Sequence, residues 1–314
     1  MKIIFDCDPG LDDGIALLTA FSYEGFDIKA ITTAFGCSTV ENTTRNALRL
    51  MDFLGRKDVK VAMGAFESTM GKTDIAPYVH GEDGFKNINL PETDFRPYDK
   101  NAAETIYEIA MNSEEKITLI ATGPLTNIGT VLKKYPELKE KIEKVSIMGG
   151  AVGMGNKSPV AEANISNDPE AARILFESGI PVIMSGLNMT FNALVYDNEI
   201  EEIAALGNKE ARLGADFLRS HREFYRKQNF AGDPPHDICA VAQLIKPEIF
   251  ETVHCHVDVE TKGEFTRGET VADLKNKYGK EKNAYVAVGV NREKFVEFIR
   301  ERLSAYKRGE QNND

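Results

Sequence analysis

Short apolar runs alternate along the chain with longer segments whose apolar residues recur every three to four positions. That pattern belongs to buried strands separated by amphipathic helices. The runs at 3–7, 28–33, 59–63, 117–121, 145–148 and 181–184 have strand length and are rich in Ile and Val, which predicts buried strands. Between them, 44–54 places Ala47, Leu48, Met51 and Leu54 on one helical face. Segments 103–111 and 169–177 repeat the pattern, the latter with Asp168 as N-cap and Pro169 at the first helical position. Gly14-Ile15-Ala16-Leu17-Leu18 opens a buried helix soon after the first strand. Strands separated by helices predict parallel pairing with right-handed crossovers. Past Asn188 the pattern changes. Residues 199–227 read as one long charged helical region, Gly232-Asp233-Pro234-Pro235 as a turn, and 237–245 as an apolar helix. Two further strand-like runs, 253–259 and 284–290, precede a final helix at 292–306, and the polar tail 308–314 is expected to fray. No repeat, low-complexity linker or boundary interrupts the chain, so the expectation is a single α/β domain over 1–314.

Composition narrows the function classes. At 314 residues the chain can bury a large core, and 42% hydrophobic with 28% charged residues is ordinary for a globular protein. A formal charge of -11 with no basic stripe argues against a nucleic-acid or anionic-membrane partner. Cys7, Cys37, Cys239 and Cys255 are scattered, without C-x-x-C spacing, which points to a reducing compartment. The N-terminus enters a strand at once, leaving no room for a signal peptide, and no apolar run approaches the ~20 residues that span a bilayer. The expected location is the cytoplasm.

Chemistry concentrates where strands give way to helices. Asp6-Cys7-Asp8-Pro9-Gly10-Leu11-Asp12-Asp13 sets four carboxylates in eight residues. Such crowding is costly unless a cation or sugar hydroxyls fill the space between them. Ala34-Phe35-Gly36-Cys37-Ser38-Thr39 follows the second strand and Thr122-Gly123-Pro124-Leu125-Thr126-Asn127 the fourth. Gly149-Gly150, followed by Asn156, Glu162 and Asn164, ends the fifth. In a parallel sheet these junctions share one edge and can line one pocket. Pro235-His236-Asp237 adds an imidazole and a carboxylate just before a helix. Hard oxygen ligands without a Cys/His set favour Ca2+ or Mg2+ over Zn2+. Asn and Glu suit a polyhydroxylated substrate such as ribose, a carboxylate beside a metal-held water suits a general base, and a histidine suits a leaving group. The glycines after the fifth strand lack dinucleotide-loop spacing, and His254 and His256, without a third ligand, read as surface strand residues.

Ile3 to Asp13 closely resembles the N-terminal signature of the inosine-uridine-preferring nucleoside hydrolases. The resemblance continues through Ile31-Thr32-Thr33, Thr44-Arg45-Asn46-Ala47, His80-Gly81-Glu82, Thr122 to Asn127 and Met148-Gly149-Gly150. It extends over Ala161-Glu162-Ala163-Asn164, Asp168 to Ala172, His236-Asp237, Thr266-Arg267-Gly268 and Thr270 to Asp273, nearly the whole chain. It implies a Rossmann-like open, mostly parallel sheet flanked by helices, and Ca2+-dependent hydrolysis of ribonucleosides to ribose and free base with inversion. Asp8, Asp13, the Thr122 carbonyl and Asp237 would hold the Ca2+, and Asp8 would take the proton of the attacking water. Asp12 and Asn164 would bind the 2′- and 3′-hydroxyls, Asn156 and Glu162 the 5′-hydroxyl, with Met148 against the sugar. His236 would assist departure of the base and His80 would sit on the nucleobase side. A homodimer or homotetramer is implied as well. Asp6 is read as a brace of the loop.

Two departures bear on the site. Cys37 stands where close relatives carry Asn, and a thiol is a weaker hydrogen-bond partner than an amide. Its contact would be lost, or taken over by Ser38 or Thr39. In 199–233, which shapes base preference in relatives, His221, Phe224, Tyr225 and Phe230 are the side chains that could meet a base, and Gly232-Asp233-Pro234-Pro235 does not map onto the family pattern. Two rivals stand beside the hydrolase. One is a nucleoside- or ribose-binding protein that has lost turnover through Cys37. The other is a phosphoryl-transfer hydrolase using Asp6 and Asp8, disfavoured because four carboxylates would repel a phosphate.

Overall fold

The first strand shows the logic of the whole sheet. β1 (Lys2–Cys7) turns Ile3 and Phe5 into the core on one face and Ile4 into the core on the other, all fully buried. A strand covered on both sides requires that continuous apolar run. The computed structural model describes residues 1–306, so the tail expected to fray, 308–314, lies outside the described residues. Among the described residues β1 is joined by β2 (Asp27–Thr33), β3 (Lys60–Met63), β4 (Ile117–Ala121), β5 (Ile142–Met148) and β6 (Val182–Ser185). β7 (Phe250–Val259), β8 (Thr270–Asp273) and β9 (Ala284–Val290) complete a nine-stranded sheet of order β3-β2-β1-β4-β5-β6-β9-β7-β8.

Pairing is parallel from β3 across to β9. The expected α/β class, an open and mostly parallel sheet flanked by helices, is what the chain forms. β7 runs antiparallel to both β9 and β8, because no helix separates β7 from β8 or β8 from β9 to carry the chain back for a parallel return. β8 is only four residues long and half-exposed, so its pattern gave no strand signal. The region 199–227 is two helices, Asp197–Ala204 and Lys209–Lys227. Gly207, in the left-handed region at φ 93, turns the chain between them, and the Asn208 side chain accepts the Ala211 N–H to cap the second.

Strand order reverses at β1 and β4: the chain builds outward from β1 to β3 on one side and from β4 to β6 on the other. A crevice opens at the carboxyl ends of two strands so related. Helix Leu11–Phe21 begins there, and the helix Lys209–Lys227 packs the Phe217 ring against Gly14. His221 and Tyr225 follow Phe217 at four-residue intervals, so one helical face runs from the core to the crevice. Among the described residues no helix is long and apolar enough to cross a membrane.

Candidate active site

Four buried carboxylates crowd the crevice. Asp8 directly follows β1, Asp12 and Asp13 occupy the first turn of Leu11–Phe21, and Asp237 immediately precedes helix Ile238–Ile245 with its side chain left off the helix backbone. One oxygen each from Asp12, Asp13 and Asp237 lies within 4.8 Å of the others, and Asp8, Asp13 and the Cys37 thiol form a second such group. Asp13 belongs to both. Burial, compounded by the neighbouring carboxylates, pushes Asp8 and Asp237 well above the usual carboxylate range and Asp13 up to about 7. Burial pushes Asp12 up too, but the imidazoles of His221, His80 and His236 outweigh it and hold Asp12 below its ordinary value. Asp6 does not line the cavity. Its Oδ1 accepts from the Thr32 hydroxyl and the Asn127 amide, tying β1 to its neighbours.

The backbone is shaped around Asp8. Its Oδ2 accepts the Cys37 N–H at 2.6 Å, while Oδ1 is buried with no hydrogen-bond partner. A Cβ on Gly36 (φ +150) would meet Oδ2 at 2.1 Å, and one on Gly123 would meet Oδ1 at 2.7 Å. Only residues without side chains let two loops approach the carboxylate so closely. Asp13 accepts from the Gly10 N–H at 3.0 Å and the Thr122 hydroxyl at 2.7 Å. An orphaned buried oxygen among mutually repelling carboxylates, with a backbone carbonyl at the end of β4, is a donor set that fits an oxygen-preferring divalent cation. Burial pushes the Cys37 thiol up, so it stays protonated and is no thiolate ligand.

Sugar-sized polar groups flank this cluster across a cavity of about 360 Å³. The Asn164 amide donates to the carbonyls of Thr122, at 2.8 Å, and Met148, at 3.2 Å. That leaves its Oδ1 to accept. Glu162 receives three backbone N–H groups, from Gly150, Asn164 and Ile165. Burial nevertheless raises its carboxyl to about 7. Asn156 holds the Ala163 N–H through Oδ1, leaving its amide N–H groups to donate. Met148, at the end of β5, is buried against the same space.

Three imidazoles line the other end. His80 Nδ1 accepts the Leu11 N–H at 3.2 Å, and burial lowers its pKa to about 4. His236 is held at both nitrogens, Nδ1 2.7 Å from the Thr190 hydroxyl and Nε2 2.7 Å from the Tyr225 hydroxyl; burial lowers its pKa to about 3. His221 has a different fate. Burial would lower it, but the Asp233 and Asp12 carboxylates prevail and push it up to about 9. Its Nδ1 stands 3.0 Å from Asp233 Oδ1, an ion pair between two buried groups.

All twelve residues expected at the site, from Asp8, Asp12, Asp13 and Cys37 through His80, Thr122, Met148, Asn156, Glu162 and Asn164 to His236 and Asp237, come to this crevice. Ser38 and Thr39 do not stand in beside Cys37. Ser38 donates to the Glu82 carbonyl at 2.7 Å and Thr39 caps the following helix. The residue that sequence reasoning missed outright is Thr190, which fixes His236 and carries no motif. Asp233 was visible only as part of a turn, yet it is wholly buried beneath His221. Phe191 and the segment Asp74 to Val79, with no periodic signal, also line the cavity. His254 is exposed, while His256 is half-buried with its Nε2 3.1 Å from Asp258.

Fold and pocket together are those of a glycosidic-bond hydrolase. Residues 3–297 match the family described as inosine-uridine preferring nucleoside hydrolase, and the chain belongs to that family. It is 44% identical to the pyrimidine-specific ribonucleoside hydrolase RihA of Citrobacter koseri, over 98% of this chain and 99% of the relative. The RihA protein of Salmonella paratyphi A is 45% identical over the same shares. Among solved structures, the purine-preferring ribonucleoside hydrolase from Gardnerella vaginalis superposes with a TM-score of 0.90 at 33% identity, covering 97% of this chain and 98% of that one. A plant nucleoside hydrolase, PpNRh1, gives 0.92 at 30%, covering 97% and 99%.

Proposed function

We propose that this N-glycosyl hydrolase cleaves ribonucleosides, pyrimidine ribonucleosides foremost, to ribose and free base by a single displacement with inversion, with Asp8 as general base. The observation that carries the reading is the Asp8 carboxylate itself. One oxygen is fixed by a backbone N–H, and the other is buried and free to take a proton from a water set beside the sugar. Ca2+ is the cation proposed, held by Asp8, Asp13, Asp237 and the Thr122 carbonyl, and bound there it would acidify water and offset carboxylate repulsion. The Thr122 oxygen has a second lone pair beyond the one Asn164 uses.

The ribose roles follow from which atoms remain uncommitted. Asp12, held ionised chiefly by the His221 imidazolium, accepts from one secondary hydroxyl, and Asn164 Oδ1 accepts from the other. The Asn156 amide donates to the 5′-hydroxyl oxygen, and Glu162 accepts its proton. Met148 supplies an apolar wall for the ring. As the C1′–N bond stretches, positive charge grows on the sugar amid the carboxylates that face it, which stabilise it electrostatically. Preference for pyrimidines is supported by the 44–45% identity to two pyrimidine-specific relatives against 33% to a purine-preferring one.

A panel of nucleosides and nucleotides assayed for reducing-sugar release tests the function. Release of ribose from uridine and cytidine, with no turnover of nucleotides, is the expected result. Tight nucleoside binding without release would make the protein a sensor, and phosphate release from nucleotides would make it a phosphoryl-transfer enzyme. With both ring nitrogens on hydroxyls, His236 would assist departure of the base only through the Tyr225 hydroxyl it holds, so His236→Ala is expected to lower kcat/KM on natural nucleosides by about 10²-fold. Turnover of nitrophenyl riboside, whose leaving group departs without a proton, should fall far less. Equal losses on the two substrates would rule out a leaving-group role for His236.

A further inference from the structure

His236 has no ring nitrogen to spare for a base. Thr190 and Tyr225 hydroxyls engage both. His80 spends Nδ1 on the Leu11 N–H. His221, stacked 5.9 Å from the His80 ring and edge-on 6.3 Å from His236, turns Nδ1 to Asp233, which leaves Nε2 as the nitrogen open to a ligand in the cavity it lines. We propose that the His221–Asp233 pair is the proton donor to the departing nucleobase, with His221 as the catalytic acid and Asp233 as the residue that positions and charges it. This deepens the hydrolase reading above and rests on it.

A purely structural role for the pair is hard to sustain. The loop holding Asp233 is already fixed through its backbone, since Asp233 and Val195 exchange N–H···O bonds at 2.8 Å in both directions. Arg222 adds a bond to the Ala231 carbonyl, and Pro234 and Pro235 stiffen the chain up to His236. A side chain such as Ala would serve that loop equally well. Instead a carboxylate is buried completely, with neither oxygen hydrogen-bonded, against an imidazole that is itself buried. A buried charge pair that is poorly hydrogen-bonded costs stability, and a perturbed pair in a cleft is a mark of function. The other charged groups facing His221 are Asp12 and Asp13 from Leu11–Phe21, and Arg222 lies beside Asp233. Asp233, in direct contact at 3.0 Å and outside the carboxylate cluster proposed to hold the cation, is the partner that keeps a cationic imidazole in place next to the base.

In this step the C1′–N bond breaks with its electron pair remaining on the base, where the C2 carbonyl of a pyrimidine delocalises it. The Nε2 proton of His221 passes to the base, leaving a neutral imidazole that keeps its Nδ1 proton toward Asp233. Asp8 holds the proton taken from water, water's oxygen bonds to C1′, and exchange with solvent restores both groups. Net, one water is added across the bond.

The test compares wild type, His221→Gln and Asp233→Asn, each saturated with Ca2+, on uridine and on nitrophenyl riboside, with ribose as a product inhibitor to report an intact pocket. His221→Gln is expected to lose about 10²-fold or more in kcat/KM on uridine. On nitrophenyl riboside it should stay within about threefold, with ribose inhibition unchanged. Asp233→Asn should lose in the same direction by less, and carries the test alone if His221→Gln does not fold. Comparable losses on both substrates, or no loss on uridine, would overturn the inference and leave the hydrolase reading standing. A wild type that cleaves neither substrate would overturn both.

Discussion

Replacing Asp8 by Asn is expected to lower kcat on nucleosides by at least about 10³-fold, near the upper part of the range for losing a general base, while the protein stays folded. The argument turns on what each Asp8 oxygen does. Oδ2 accepts the Cys37 N–H at 2.6 Å, and an Asn carbonyl oxygen can accept that same bond, so the loop after β2 keeps its anchor. Oδ1 is the buried atom without a partner. In Asn it becomes an NH2 group, which cannot take a proton from water and which turns donors toward the neighbouring carboxylates. The substitution also removes one of four crowded carboxyl groups, so the protein without added cation should melt no lower than wild type, and with Ca2+ held saturating, since Asp8 is also a proposed ligand, the loss of rate is then chemical. Steady-state kinetics with thermal melts of both proteins check this. An Asp8→Asn enzyme that turns over nucleosides at the parent rate would remove Asp8 from the role of base.

Asp8 could be singled out from the sequence and Asp233 could not, for a physical reason. Asp8, Asp12 and Asp13 are neighbours in the chain, and an apolar strand on one side with a helix start on the other fixes where they lie before any coordinates exist. Thr122 and His236-Asp237 are likewise each tied to the end or start of a regular element. The sheet then collects them from positions over two hundred residues apart. Asp233 sits in an irregular turn whose only sequence signal is Gly and Pro, and its burial comes from a bridge to Val195 that no local pattern encodes. Thr190 reaches His236 across a similar gap. Strand direction was lost at β7 because apolar alternation is the same for parallel and antiparallel neighbours; only the absence of an intervening helix distinguishes them. Cys37 shows a different limit. The contact its position makes with Asp8 runs through the backbone N–H, which any residue but proline supplies, so the side-chain change removes less than residue identity alone suggests.

Removing the cation is expected to abolish nucleoside turnover and to lower Tm, and restoring Ca2+ should recover both. The physical cause is the repulsion within the cluster when no cation is bound: Asp8, Asp13 and Asp237 are buried within reach of Asp12 and of one another, and each is pushed above its ordinary range by burial and its neighbours. A bound divalent ion reverses the sign of that local field, so it stabilises the folded state, which assembles the ligands, and not the unfolded chain, which scatters them across the sequence. At a Ca2+ concentration a hundred times Kd the linkage contributes about 2.7 kcal/mol, which for a chain of this size raises Tm by on the order of 5 °C. Mg2+ should substitute poorly, since it demands near-octahedral geometry and gives up water reluctantly. The measurement is a chelator titration followed in parallel by ribose release and thermal unfolding, with Ca2+ and Mg2+ added back separately. Turnover that survives exhaustive chelation would separate the carboxylate cluster from metal chemistry. A melt indifferent to Ca2+ while activity falls would place the ion elsewhere than among Asp8, Asp13 and Asp237.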